Sequence, residues 1–344
     1  MGELVLSGVF SHPKIVPAKL LNLLSMYSTD GNFLQARFSE NFVYGHQEIL
    51  LKYCGLELSS QIIGVLQHGA AIPNFLEDIA SPRFLGGRRT KYWAWSKTTQ
   101  KNAKANGFDH VVPIGAPWLY LRKALNSKNP DQNSMSESVL VMPSHSTGNA
   151  VNVTSFDIKC ERAKSFREVV GDRKATVCLH ATDFCDPETR RSFQKYDFTV
   201  ECIGSSSLSP AWSPAGNRIG TLKTLLDIMS SHTHYVSDGF GTSLIYALNL
   251  EMKVAVFPDL KDFLVLNAKS NGKEEVYSGI RQMEDQFLPR YMPLLLNNFI
   301  DGAIYRNLTD DMLGADSVLS KEELRDTLEY RKNVYPLSGN FQPW

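Results

Sequence analysis

Hydrophobic and polar positions follow a repeated order along this chain: a short apolar run, a polar turn, then an amphipathic segment. The most complete example is residues 235–258, YVSDGFGTSLIYALNLEMKVAVFP. Its pattern predicts a strand, a turn rich in glycine and hydroxyl groups, a helix from Leu244 to Leu250, and a strand from Lys253 to Phe257 that is buried on both faces. A turn between a strand and a helix N-terminus favours anion binding, because unpaired N–H groups and the positive end of the helix dipole meet there. An ordinary βαβ crossover with a polar turn fits the same pattern.

The same order extends over most of the chain. It predicts further strands at Leu4–Phe10, Gln61–Gln67, Tyr92–Trp95, Val111–Ile114, Val139–Met142, Ala175–His180, Phe198–Cys202 and His234–Val236. It predicts helices past Pro17, from Ser96 through Lys104, at Leu119–Leu125 and Phe156–Val170, from Asp186, and at Arg218–Met229, Tyr277–Phe287 and Lys321–Val334. Alternation of strands and helices predicts an α/β fold with parallel sheets flanked by helices.

A polar stretch near the middle, residues 126–138 (NSKNPDQNSMSES), has no apolar periodicity and is typical of a linker. A chain of 344 residues is long for a single hydrophobic core. We therefore expect an N-terminal domain (1–126), a linker (127–137) and a C-terminal domain (138–310). The last segment (311–344) is expected to form a helix that packs back on the N-terminal domain.

Two histidines come directly after predicted buried strands. His68 is followed by Gly69, and His145 lies in the turn Pro143-Ser144-His145-Ser146-Thr147-Gly148. Open α/β sheets hold their ligands outside the carboxyl ends of their strands. Considered separately, each histidine could simply cap its strand through one hydrogen bond to a neighbouring loop. Two such turns in separate halves predict two strand ends that face one another across a cleft.

Composition removes several classes of function. Lys plus Arg and Asp plus Glu number 36 each, which argues against a dedicated nucleic-acid surface. The five cysteines have no CxxC spacing, so we expect neither a disulfide framework nor a zinc cluster, and a reducing cytoplasm fits best. The first residues lack the pattern of a signal peptide, and no apolar run approaches the ~20 residues of a spanning helix. Arg83, Arg88, Arg89 and Lys91 suggest peripheral contact with the anionic cytoplasmic face of the membrane.

Four motifs, QHGAA, IGAPWLYL, VMPSHSTG and VSDGFGTSLIYAL, together resemble glycosyltransferases of the GT-B fold. The resemblance covers most of the chain in order. It is closest to the bacterial branch that builds surface polymers, which includes teichoic-acid glycerophosphotransferases and the sialyl- and Kdo-transferases of capsule and lipopolysaccharide. The resemblance implies two Rossmann-like domains that face one another across a cleft. It also implies transfer of a sugar from a CMP-, CDP- or UDP-linked donor to a glycan or lipid-linked acceptor.

In that family a His-Gly turn of the N-terminal domain supplies the catalytic base, which corresponds to His68. A turn after the first C-terminal strand and a later serine-rich turn hold the phosphate and nucleotide of the donor. This chain departs from the pattern at Ser146, where a proline is usual, and at 240–242, where Phe-Gly-Thr replaces paired serines. The residues expected to bind substrate or donor are Gly69, Gly115, His145, Ser146, Thr147, Glu201, Ser237, Asp238, Gly239, Gly241, Thr242 and Ser243.

The implied chemistry is direct displacement at an anomeric carbon. Neutral His68 would remove the proton of an acceptor hydroxyl, and the helix N-terminus near Thr242, with His145, would meet the charge that develops on the leaving phosphate. Fixed N–H and O–H donors can do this without a metal ion, and no Asp-x-Asp pair stands in a suitable place. We therefore expect no metal and no cofactor besides the nucleotide-sugar co-substrate.

Two other functions fit the sequence. The first is another enzyme on the same scaffold, such as a pyruvyl transferase or a sugar-nucleotide epimerase, for which Asp183, Asp186, Glu201 and Asp238 could supply carboxylates. The second is a non-catalytic module that binds a nucleotide sugar or a partner protein.

Overall fold

A computed structural model describes residues 40–70, 91–105, 108–127, 129, 135–144, 155–203, 220–263 and 286–331. Several sequence predictions lie outside these residues. They are the strand Leu4–Phe10, the helix past Pro17, the basic residues Arg83, Arg88 and Arg89, the turn residues His145, Ser146 and Thr147, and most of the helix Tyr277–Phe287.

The described strands are β1 (Gln61–Ile62), β2 (Val65–Leu66), β3 (Tyr92–Ala94), β4 (Val111–Pro113), β5 (Ser138–Val141), β6 (Lys174–His180), β7 (Thr199–Ile203), β8 (His234–Ser237), β9 (Lys253–Val256), β10 (Ile300–Asp301) and β11 (Tyr330–Arg331). The described α-helices are α1 (His46–Tyr53), α2 (Lys97–Ala105), α3 (Pro117–Ala124), α4 (Phe156–Val170), α5 (Ala181–Phe184), α6 (Pro187–Lys195), α7 (Thr221–Ser230), α8 (Thr242–Asn249), α9 (Arg306–Leu313) and α10 (Lys321–Thr327), and residues 286–291 are also helical. Short 3-10 helices lie at Glu40–Gly45, Pro258–Phe263, Pro293–Leu295, Gly302–Tyr305 and Ala315–Ser317.

The larger sheet has six strands in the order β10-β9-β8-β5-β6-β7. Strands β5 to β9 run parallel, and β10 is antiparallel to β9. Both faces are covered, because Val139 and Val141 of β5 pack on the side of Phe166 in α4, while Leu140 packs on the side of Leu226 in α7. Counted from β5, this is the Rossmann order 3-2-1-4-5-6, in which the winding reverses between β5 and β8.

The smaller sheet consists of the parallel strands β2, β3 and β4. Its core is aromatic and includes Trp93, Trp95, Trp118 and Tyr120, all almost fully buried. Helices α1 and α3 pack against each other within the same core. The fold class is therefore α/β with two Rossmann-like parallel sheets flanked by helices, as predicted.

The single strand predicted at Gln61–Gln67 is wrong in one respect. The chain turns at Gly64 (φ +103), where a Cβ would lie 2.6 Å from the Lys91 carbonyl oxygen. The segment is consequently split into β1, which pairs antiparallel with β11, and β2, which pairs with β3. An apolar run does not reveal this break, because both pieces are buried and the turn depends on a contact with Lys91.

The C-terminal helix is shorter than predicted. A capping box between Ser320 and Glu323 starts α10, but the helix ends at Thr327 because Leu328 adopts an extended backbone (φ −71, ψ 127) that leads into β11. This segment lies against the N-terminal half, where Ala116 N donates to Leu313 O at 2.8 Å. The domain boundaries themselves stay a prediction. None of the described helices combines the length and the hydropathy needed to span a bilayer.

Candidate functional site

The turns that follow β5 and β8 lie side by side at the point where the winding of the large sheet reverses. Asp238, which is fully buried, joins them. Its Oδ1 accepts hydrogen bonds from the backbone N and the Oγ of Ser144, both at 2.7 Å, and its Oδ2 accepts from Arg162 Nη2 of α4, also at 2.7 Å. The same Arg162 nitrogen donates to the Ser144 carbonyl at 2.9 Å. Both oxygens of Asp238 thus have partners within the protein, and a contact of Asp238 with a donor stays a prediction.

The rest of the turn after β8 leads into α8. Ser237 Oγ donates to the Gly239 carbonyl at 2.9 Å, and Gly241, whose backbone is extended (φ −172), precedes the helix without a side-chain cap. Ser243 Oγ lies 2.7 Å from the hydroxyl of the buried Tyr235. The Ser243 hydroxyl is therefore engaged toward the sheet, and Thr242 is the hydroxyl residue that faces the other half of the chain.

The turn after β2 meets the first residue of α8. Ala70 N donates to Thr242 Oγ1 at 3.0 Å. Gly69 makes this approach feasible, because a Cβ at Gly69 would lie only 2.6 Å from the same oxygen. His68, Gly69 and Ala70 are each partly exposed. The carboxyl ends of the two parallel sheets therefore meet at Thr242, with His68 beside the contact.

Further along α8, its side chains hold helix α3 of the N-terminal half. Tyr246 stacks on Trp118 with ring centroids 4.2 Å apart and an angle of 9° between the planes. Asn249 Oδ1 accepts from Trp118 Nε1 at 2.9 Å and from Arg122 Nη1 at 2.6 Å. Helix α8 is thus attached to the N-terminal half at its beginning and at its end.

Two side chains beside His68 were not singled out from the sequence. The Tyr44 ring lies 5.3 Å from that of His68 and 6.0 Å from that of His46, and the His46 ring lies 6.0 Å from that of Trp95. Burial, and secondarily the neighbouring His68, lower the pKa of His46 to about 3, although a hydrogen bond to the backbone of Gln67 opposes the shift. His46 is therefore neutral at physiological pH. The signal in the sequence is a histidine next to a glycine, Gly45-His46, the same pair of residue types found at 68–69.

Buried amide side chains fix the turn that carries His68. Gln67 Nε2 donates to the Gly69 carbonyl at 2.7 Å, and Gln67 Oε1 accepts from Trp95 N at 2.8 Å. On the other side of β2, Asn41 Oδ1 accepts from Leu66 N at 2.8 Å. These bonds satisfy backbone groups at the edge of the short strand and hold the turn in place.

Two predicted site residues lie away from these turns. Gly115 (φ +78) faces the C-terminal segment, since a Cβ there would lie 2.8 Å from Val318 Cγ2. Glu201 is exposed in the middle of the edge strand β7, three strands from β8. By contrast, the partly exposed His180 is the last residue of β6, at the same edge as the turn after β5, and its sequence signal is a histidine at the end of a buried strand. Over the described part of the chain, no cluster of three or more His, Cys, Asp or Glu residues could hold a metal ion.

The two sheets define an α/β protein with Rossmann-like halves. Comparisons with known proteins do not assign the chain to a family within that class. No protein-family model matches the chain, and no curated protein matches it. Among solved structures the chain is similar to the UDP-GlcNAc 2-epimerase from Neisseria meningitidis bound to UDP-GlcNAc, at 14% identity and a TM-score of 0.33. The match covers 75% of this chain and 66% of the epimerase chain, just under two thirds. The likeness is distant, and the fold class rests on the sheets themselves.

Proposed function

We propose that this protein is a glycosyltransferase that moves a sugar from a CMP-, CDP- or UDP-linked donor to a hydroxyl of a glycan or lipid-linked acceptor, in bacterial surface polysaccharide synthesis. The observation that carries the proposal is the hydrogen bond from Ala70 N to Thr242 Oγ1. It brings the His68 turn of one parallel sheet to the reversal point of the other, where sheets of this order bind nucleotides. The reaction would take place in the cytoplasm, and contact with the inner face of the membrane is part of the same proposal.

The geometry supports donor binding by the C-terminal half and proton transfer by the N-terminal half. The turns after β5 and β8, which Asp238 holds together, would take the donor phosphate beside the N-terminus of α8. His68, on the opposite side, would accept the proton of the acceptor hydroxyl as its oxygen bonds to the anomeric carbon. The bond from that carbon to the phosphate oxygen breaks, and donors such as the α8 N–H groups and His145 would meet the charge on the leaving group.

The carboxylates favour this proposal over an epimerase. An epimerase would need several of them to converge on the sugar, but three of the four are either paired within the protein or exposed on an edge strand. Asp186 caps α6 and pairs with Lys159 Nζ at 2.7 Å, Glu201 is exposed on the edge strand β7, and Asp238 is paired with Arg162. Asp183 is buried in the short helix α5.

The first test is thermal unfolding with CMP, CDP, UDP, GDP and their sugars, on the wild type, His145→Ala and the control His110→Ala. His110 is exposed and precedes β4. A nucleotide at a hundred times its Kd should add about 2.7 kcal/mol of stability. The proposal expects one nucleotide class to stabilise the wild type and His110→Ala but not His145→Ala. If no nucleotide stabilises the wild type, the proposal is wrong.

The second test separates transfer from epimerisation. The nucleotide sugar that binds is incubated with the protein and a sugar or polyol that can accept the transferred group, and the products are separated by chromatography. A transferase releases the free nucleotide, whereas an epimerase converts the donor into an isomeric nucleotide sugar. His68→Ala should retain donor binding and lose nucleotide release, since its role is in proton transfer. Formation of an isomeric nucleotide sugar would contradict the proposal.

A further inference from the structure

Beside His68 the structure holds two buried polar atoms that have no hydrogen-bond partner among the described residues. They are Nε2 of His46 and Nε1 of Trp95. The residues are 2% and 1% exposed, respectively. Their rings meet edge to face, with centroids 6.0 Å apart and an angle of 65° between the planes. Native proteins rarely leave even one such group unpaired, so two in contact indicate a shared partner.

The two atoms have complementary hydrogen-bonding roles. The indole N–H of Trp95 can only donate. His46 also makes a hydrogen bond to the backbone of Gln67, and this bond raises the pKa of His46. A bond that raises the pKa favours the protonated ring, so the ring donates to the carbonyl oxygen of Gln67. The donor is Nδ1, because Nε2 has no partner. Burial nevertheless lowers the pKa of His46 to about 3, so the ring is neutral. Nε2 of a neutral imidazole whose Nδ1 carries the proton can only accept.

This combination selects one kind of ligand group. A hydroxyl can donate to His46 Nε2 and accept from Trp95 Nε1 at the same time. A carboxylate or phosphate oxygen without a proton cannot donate, and an ammonium group cannot accept. Two hydrogen bonds of about 2.9 Å that meet at one oxygen span roughly 5 Å, a span compatible with two rings in edge contact.

The pair lies near the proposed catalytic turn, because Gln67, the residue before His68, accepts a hydrogen bond from Trp95 N at 2.8 Å. Tyr44, which is partly exposed, has its ring 5.3 Å from that of His68 and 6.0 Å from that of His46. We propose that His46 and Trp95 form a binding site for one uncharged hydroxyl of the acceptor, next to the hydroxyl that His68 deprotonates. The acceptor is then a polyol or sugar with neighbouring hydroxyls. The inference rests on the proposed transferase function for the identity of the acceptor.

The indole N–H signals of the wild-type protein test the site directly. Glycerol, methyl glucoside and methyl galactoside are titrated into the ¹⁵N-labelled protein, and Trp95→Phe assigns the Trp95 signal. Polyol binding should shift this signal downfield and slow its exchange with solvent. Two signals serve as internal controls and should not move, because Trp93 Nε1 already donates to Ile63 O and Trp118 Nε1 to Asn249 Oδ1, each at 2.9 Å.

A variant measures the contribution of the acceptor atom. His46→Phe keeps an aromatic ring and removes Nε2, so polyol affinity should fall about fivefold, the value of one neutral hydrogen bond. His110→Phe, at an exposed position, is the matched control and should leave the affinity unchanged.

Three results would overturn the inference. The first is a Trp95 signal that no polyol moves. The second is a cross-peak between water and the Trp95 indole that no polyol removes, which would identify a structural water. The third is unchanged affinity in His46→Phe. If nucleotides bind and Trp95 does not respond, this inference fails alone. If polyols move Trp95 and no nucleotide binds, the transferase proposal fails instead.

Discussion

The buried ion pair between Asp238 and Arg162 should be among the most sensitive contacts of the large sheet. Asp238 is fully buried, and the side chain of Arg162 is 9% exposed. Asp238→Asn keeps the shape of the side chain and an oxygen for Ser144. It removes the charge and turns an amide N–H toward a guanidinium that can only donate. The substitution therefore leaves a buried cation without its counter-ion.

The expected loss of stability in Asp238→Asn follows from the burial of the ion pair. Removing one partner of a buried ion pair costs about 3–5 kcal/mol, because the remaining charge stays in a poorly solvated place. A matched exposed pair lies on α7, where Lys223 Nζ is 2.5 Å from an oxygen of Asp227 and the Asp227 side chain is 59% exposed. Pairs of this kind in helices contribute about 0.5 kcal/mol or less. Asp238→Asn should thus destabilise the protein several times more than Asp227→Asn.

Urea unfolding followed by far-ultraviolet circular dichroism measures both variants against the wild type. The double variant Arg162→Met/Asp238→Asn removes both charges and should recover part of the lost stability, since no unpaired ion remains. Arg162→Met is measured as the second single variant. If Asp238→Asn costs less than about 1 kcal/mol, or if the double variant loses as much stability as the two single variants in sum, the ion pair does not stabilise the two turns.

Three further predictions concern other parts of the structure. Lowering the pH from about 8 to about 5 should remove about 2 kcal/mol of stability through His46. Its pKa of about 3 in the folded state lies below the ordinary 6.5, so the unfolded state is protonated first as the pH falls. Urea unfolding at the two pH values should show a smaller loss of stability in His46→Phe. Gly314→Ala should cost about 3 kcal/mol or more in thermal unfolding, because its Cβ would lie 1.8 Å from Trp95 O. Gly220→Ala, at another left-handed position but with nothing within 4 Å, should cost about 1 kcal/mol. Asn249→Ala removes the acceptor of two hydrogen bonds from α3 and should cost about 2 kcal/mol in urea; a loss below about 0.5 kcal/mol would contradict the role assigned to that contact.

Where local signals decide an element, the sequence predicts it well. Helix α4 has the predicted bounds, because Ser155 caps its start by accepting from Ile158 N and Gly171 ends it with a positive φ of 65°. Helix α8 begins two residues before the predicted Leu244, at Thr242. The residue before it, Gly241, provides no side-chain cap. Starts and stops that depend on neighbours in the chain can be found from residue types alone.

The strand order and the pairing of side chains from different elements depend on contacts between distant segments, which the sequence does not show. The strand order of the large sheet, with β5 between β6 and β8, cannot be derived from hydrophobic periodicity, which gives the faces of a strand but not its neighbours. The same limit explains Glu201, whose place in a strand was predicted but whose exposure on the edge strand was not. His46 and Trp95 became visible as a pair only because α1 and the end of β3 pack together.

Helix α8 shows how one segment combines both kinds of information. The pattern at 235–258 predicts a helix N-terminus suited to an anion, and that chemistry is local. Its attachment to the N-terminal half is not local: Thr242 accepts from Ala70 at the first residue of the helix, and Asn249 accepts from Arg122 at the last. The two contacts of α8 join residues 172 and 127 positions apart in the chain, so only the folded structure brings the turn after β8 to the turn that carries His68.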